Sequence, residues 1–108
     1  EIFMDCFAIS ECPAEGIESP TIIGAQAANE LLNIIGMKAT FVLTPFNGII
    51  YVSARSIDEV NVQVVMEKLG GGGHRTIAGA QLKDMTADQA REKLKDVLRA
   101  MMEKGDIS

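Results

Sequence analysis

Residues 70–80 read Gly-Gly-Gly-Gly-His-Arg-Thr-Ile-Ala-Gly-Ala, and the fold turns on how this stretch is divided. Upstream, Val62 to Leu69 has the apolar spacing of a short helix, with Asn61 as its N-cap and Gly70 as its stop. Downstream, Thr76 to Leu82 is short, apolar and small in its side chains, which suits a buried strand better than a seven-residue helix. The glycines therefore join a helix to a strand and lead directly into His74, the chain's only histidine. As a plain connector the run is a poor choice, because each glycine costs roughly 0.5–1 kcal/mol relative to alanine on ordering. Exposed amides of Gly71, Gly72 and Gly73 could instead form a concave site for a phosphate or carboxylate.

Working outward, Lys38 to Thr44 and Ile49 to Ser56 are strand-like runs joined by Pro45-Phe46-Asn47-Gly48, a sequence suited to a tight antiparallel reversal. Ser19 and Pro20 open a helix whose apolar positions, Ile22, Ile23, Ala27, Leu31, Ile34 and Ile35, recur until Gly36. Ile2 to Ser10 reads as one strand, followed by a loop from Glu11 to Pro20. At the other end, Thr86 and Gln89 form a capping-box pair before a helix stopped by Gly105, and Met101 and Met102 suit packing at a core edge. The order βαββαβα predicts an α/β domain, or an α+β variant, with helices on a mixed sheet of four to five strands. At 108 residues with 47% hydrophobic composition, residues 1–108 are expected to form a single domain cut from a longer polypeptide.

Ten basic against fifteen acidic residues give a formal charge of −5, which disfavours duplex DNA and anionic membranes as partners. Any anion must then be bound locally. On the second hairpin strand, alternation puts Tyr51, Ser53 and Arg55 on one face, so the Arg55 fork could hold a phosphate with the Ser53 hydroxyl beside it. The competing reading is a surface arginine paired with Asp58 or Glu59. Cys6 and Cys12 lack the companions of a metal site, and a lone His74 makes a poor one, so no metal ligand is assigned. The glycine run is not a Walker loop, because His74 and Arg75 replace its lysine and hydroxyl residue. Nor is it a dinucleotide fingerprint, which follows a strand and opens a helix.

Gly71-Gly72-Gly73-His74 followed by Ala78-Gly79-Ala80 resembles the signature of the DHH-associated domain, the C-terminal domain of the DHH phosphoesterases. The run from Ser53 through Arg55 and Asn61 to His74 is similar to the membrane-bound cyclic-di-AMP phosphodiesterases of that superfamily. The resemblance implies an enzyme that opens a cyclic dinucleotide with two manganese ions held by a preceding DHH domain, whose motifs this sequence lacks. It further implies a cytoplasmic domain of a membrane-anchored protein, inactive alone, that contacts a cyclic dinucleotide or short oligonucleotide through Gly71, Gly72, Gly73 and His74. Ser53, Arg55 and Asn61 would complete that substrate site. Two other readings remain: an RNA- or tRNA-binding module using the same loop, as in oligoribonucleases and exonucleases that share the domain, and a structural homodimerisation domain.

Overall fold

The hairpin at the centre of the sheet follows from its turn chemistry. In the computed structural model, which describes residues 1–13, 19–34 and 36–105, β3 (Ala39–Phe46) and β4 (Ile49–Ser56) pair antiparallel, with Phe46 opposite Ile49 and Ala39 opposite Ser56. Only Asn47 and Gly48 make the turn, both at positive φ (51° and 79°), the mirror-image geometry whose twist matches that of the flanking strands. Pro45 and Phe46, expected in the turn, are the last residues of β3.

β3 also pairs with β2 (Phe7–Glu11), and this is the one parallel ladder in the described sheet. A parallel neighbour requires a crossover, which α1 (Pro20–Ile34) supplies. The expected strand Ile2 to Ser10 is divided in two: β1 (Ile2–Phe3) turns back on β2, with Met4 and Asp5 both at positive φ. No glycine or proline marks that turn, so a continuous strand was the natural reading. Past β4, α2 (Val62–Lys68) leads to β5 (Gly72–Gly73), β6 (Ile77–Lys83) and α3 (Ala87–Lys104). The sheet has six strands in the order β1-β2-β3-β4-β6-β5, against the four to five expected, and its two edge strands β1 and β5 are only two residues long. The middle of the loop expected between Glu11 and Pro20, and Ile35 of the first helical stripe, lie outside the described residues.

The two faces of the sheet are packed differently. Phe41 and Leu43 of β3, Val52 and Ala54 of β4 and Ala78, Ala80 and Leu82 of β6 point to the side of α2 and α3, where they bury against Val65, Met66, Leu94 and Leu98. Phe7 meets Phe41 edge-on in this core, with ring centroids 6.1 Å apart. Met101 is buried at its margin and Met102 packs against it. α3 is fixed at both ends by local signals: the reciprocal capping box of Thr86 and Gln89 is present, and Gly105 closes it at φ 74°.

On the opposite face α1 covers β3 and β4, and the contact is made by small residues. Gly24 and Ala28, four apart on one helical face, are buried, and the Thr40 hydroxyl donates to the Ala28 carbonyl at 2.7 Å. A Cβ at Gly24 would lie 2.6 Å from Ser53 Oγ and 2.9 Å from Thr44 Oγ1, so only glycine lets the helix come this close. Of the stripe expected to be buried, Ile23, Ala27 and Leu31 are half-buried and Ile22 turns outward. Ile22 is 54% exposed, because the small-residue face rather than the isoleucine face meets the sheet.

Candidate functional site: a groove beside the glycine strand

Because α1 stops over β4, the same face of β6 and β5 is left open. A groove of about 800 Å³ lies there, walled by Thr21, Ile22 and Ala25 of α1 and floored by β4, β6 and the glycine segment. Among the described residues lining it there is no Asp or Glu, whereas Arg55, His74 and Lys83 all reach it. In a chain of formal charge −5, such segregation leaves a local site for an anion.

The four glycines have separate tasks. Gly70 is at φ 85° and donates to the Glu67 carbonyl at 3.1 Å, while the Gly71 amide donates to Met66 at 2.8 Å. These two bonds form the Schellman closure that ends α2, with Gly70 in the left-handed position. Gly71 and Gly73 face β6, where a Cβ would lie 2.1 Å from the Gly79 carbonyl oxygen and 2.6 Å from the Ala78 Cα respectively. They let β5 lie against β6. Gly72 is paired with Gly79 and points the other way, and a Cβ there would meet nothing within 4 Å. Of the three amides expected to form an anion nest, that of Gly71 is taken up by Met66, and the His74 amide beyond them donates to Ile77 at 2.7 Å. Backbone donors must be satisfied somewhere, and these two are satisfied within the fold, one by α2 and one by β6.

Register brings the remaining residues together. Arg55 on β4 is opposite Ile77 on β6, and His74 bonds to Ile77 from the far side, so Arg55, Ile77 and His74 form a row across the groove floor. The adjacent row is Ser53, Gly79 and Gly72. Ser53 is buried beneath Gly24 of α1, at the inner edge of the groove. His74 is exposed at the rim.

Arg55 is half-buried, and its terminal Nη1 donates to the Ala54 carbonyl at 2.8 Å. Its Nε is buried without a hydrogen-bond partner, and burial pulls the guanidinium pKa below its ordinary value. A buried donor left unmade is costly, and an arriving anion would satisfy it. The surface pairing considered for Arg55 is made by other residues: Arg75 Nε lies 3.6 Å from the Asp58 carboxylate and donates to the Asp58 carbonyl at 2.8 Å, and Lys38 lies 3.6 Å from Glu59.

Asn61 is not brought into the groove. Its Oδ1 accepts from the amides of Gln63 at 3.0 Å and Val64 at 3.4 Å, capping α2 on the sheet's other side. It positions the glycine segment only through that helix. Sequence reasoning missed Thr21, Ile22, Ile77, Gln81 and Lys83 as groove residues. The alternation of Ile77, Gly79, Gln81 and Lys83 along β6 was a usable signal, since it opposes the buried Ala78, Ala80 and Leu82. Among the described residues no group of three or more His, Cys, Asp or Glu side chains could hold a metal ion.

A mixed sheet with a helix-crossed parallel pair, a Gly72–Gly73 edge strand and an arginine facing it across β6 are the features of a domain of the DHH-associated class. Residues 7–104 match the DHHA1 domain model, and the chain belongs to that family. It is 48% identical over 96 residues to the cyclic-di-AMP phosphodiesterase PdeA of Listeria monocytogenes, covering 87% of this chain and 14% of that protein. It is 45% identical over 85 residues to the cyclic-di-AMP phosphodiesterase GdpP of Geobacillus thermodenitrificans, covering 78% of this chain and 13% of the relative. The chain thus spans about a seventh of the length of these relatives. The fold is similar to the C-Ala domain of Aquifex aeolicus alanyl-tRNA synthetase, with a TM-score of 0.62 at 19% identity over 86% of this chain and 88% of that one.

Proposed function

We propose that this chain is the substrate-gripping domain of a phosphodiesterase that hydrolyses cyclic di-AMP to a linear dinucleotide. The observation that carries this reading is Arg55, which lines a groove with no carboxylate among its described lining residues and whose Nε is buried without a hydrogen-bond partner. The guanidinium accepts a phosphate through charge-assisted hydrogen bonds, and His74, across Ile77, adds a donor at the rim. Ser53 and the bare backbone at Gly72 leave room for the sugar and base. The reading is supported by the two relatives named above, which carry that activity in their names.

The metals of the reaction, expected to be manganese, belong on a preceding DHH domain, where they supply the activated water and neutralise the scissile phosphate. The residues of this chain bind and orient: they hold the non-reacting part of the nucleotide so that the scissile bond stays in place. By the same reading the domain is cytoplasmic and belongs to a membrane-anchored protein; among the described residues no helix is long and apolar enough to cross a membrane.

The test is hydrolysis of cyclic di-AMP by the complete enzyme with manganese, followed by chromatography of the linear product, for the wild type and for Arg55→Ala and His74→Ala. Folded variants with a raised KM support the gripping role. Unchanged KM in both would overturn it, as would turnover by this domain alone.

A further inference from the structure

Ile22 and Ile77 are the most exposed large apolar side chains among the described residues, at 54% and 52%, and both line the groove. They come from different elements. Ile22 overhangs from the first turn and a half of α1, because Gly24 and Ala28 take the buried face of that helix. Ile77 stands on β6 directly opposite Arg55, in the row that ends at His74. Between and beside them the floor is bare: Gly72 and Gly79 are cross-strand partners on the groove side, and neither places a side chain there. A flat strip of peptide, two aliphatic walls and an adjacent guanidinium together form an amphipathic slot. Its charged end suits a phosphate, and its bare, apolar part suits a planar ring.

Resting on the reading of the groove as a nucleotide site, we propose that Ile22 and Ile77 seat the flat face of a nucleobase, over the Gly72–Gly79 backbone, while Arg55 holds the phosphate attached to it. The occupant follows from the juxtaposition. A lipid tail or a protein segment would use the apolar walls but leave the unpartnered Arg55 Nε unsatisfied. A free phosphate would satisfy Arg55 and leave two exposed isoleucines without a role. A nucleotide does both. No aromatic side chain lines the slot among the described residues, so the ring is held by aliphatic contact, which depends on ring area rather than on ring identity.

The test is calorimetric titration of the complete enzyme with AMP and with ribose 5-phosphate, which share the phosphate and sugar and differ by the base. Wild type is expected to bind AMP more tightly. Ile22→Ala and Ile77→Ala each weaken AMP by about fivefold, the size of one lost aliphatic contact, and leave ribose 5-phosphate unchanged. Equal weakening of both ligands, or of neither, overturns the base seat; the former indicates isoleucines that pack against another domain. Arg55→Ala separates the two levels of the argument: it weakens both ligands if the groove is the nucleotide site, and if it weakens neither, the proposed function fails rather than the role of the isoleucines. Thermal melting of each variant at the wild-type temperature confirms that the comparison is between folded proteins.

Discussion

Gly72 stands opposite Gly79 across the β5–β6 ladder, and the two are the only facing glycines in the described sheet registers. Gly71 and Gly73, on either side of Gly72, face the other way, into β6, so adjacent glycines in one motif answer to different constraints.

That difference is measurable by alanine substitution. Gly71→Ala forces a Cβ to within 2.1 Å of the Gly79 carbonyl oxygen, and the overpacking is expected to cost about 2 kcal/mol or more in urea denaturation. Gly72→Ala meets nothing within 4 Å and should stay within about 0.5 kcal/mol of wild type. It should nevertheless weaken nucleotide binding, because the new methyl rises from the groove floor. Equal stability losses in the two variants would contradict this division.

Arg55 is expected to separate stability from function. Arg55→Met removes the unpartnered Nε together with the Nη1 bond to the Ala54 carbonyl, so the two effects offset and stability should stay within about 1 kcal/mol of wild type. Substrate affinity should fall by about 1.5–3 kcal/mol, the range for a hydrogen bond to a charged group. Arg55→Lys should recover only part of this, since a point charge lacks the planar fork. Chemical denaturation and KM measured on the same preparations check both halves.

Asn61 tests whether a residue matters through its helix or through the ligand. Its Oδ1 caps α2, so Asn61→Ala should cost about 1 kcal/mol of stability, and Asn61→Asp should restore it. If KM follows stability across the pair, Asn61 acts as a cap. A loss of binding in the stable Asn61→Asp variant would place it against substrate instead.

Arg75 follows His74 in sequence and yet is held by Asp58. Arg75→Ala should change stability by less than about 1 kcal/mol, as exposed ion pairs do, and leave KM at the wild-type value. A raised KM would show that its guanidinium swings into the groove.

Burial pushes the Cys6 thiol pKa up, with Lys38 opposing and Asp5 reinforcing the shift. The folded state therefore keeps this proton longer than the unfolded chain does. The stability it contributes is complete below the ordinary thiol value and is lost as pH rises through the raised one. The difference in denaturation midpoint between wild type and Cys6→Ala should shift against wild type as pH rises above about 8.5, the ordinary thiol value.

What the sequence determined by itself was everything set by neighbours in the chain: the Asn47-Gly48 turn, the Asn61 and Thr86 caps, the Gly70 and Gly105 stops, and the alternation that sets Ser53 and Arg55 on one face. These depend on local dihedral preference and on hydrogen bonds spanning three or four residues. Local signals were weakest where the structure departs from them, at the Met4-Asp5 turn without a glycine and at the helix that buries Gly24 and Ala28 and leaves Ile22 exposed. Tertiary structure alone decided which strand edge each glycine meets, that Arg55, Ile77 and His74 share one row, and that Ile22 overhangs it. Those facts are matters of register and close approach between distant segments, and a one-residue slip in pairing would turn every side chain of β6 to the other face.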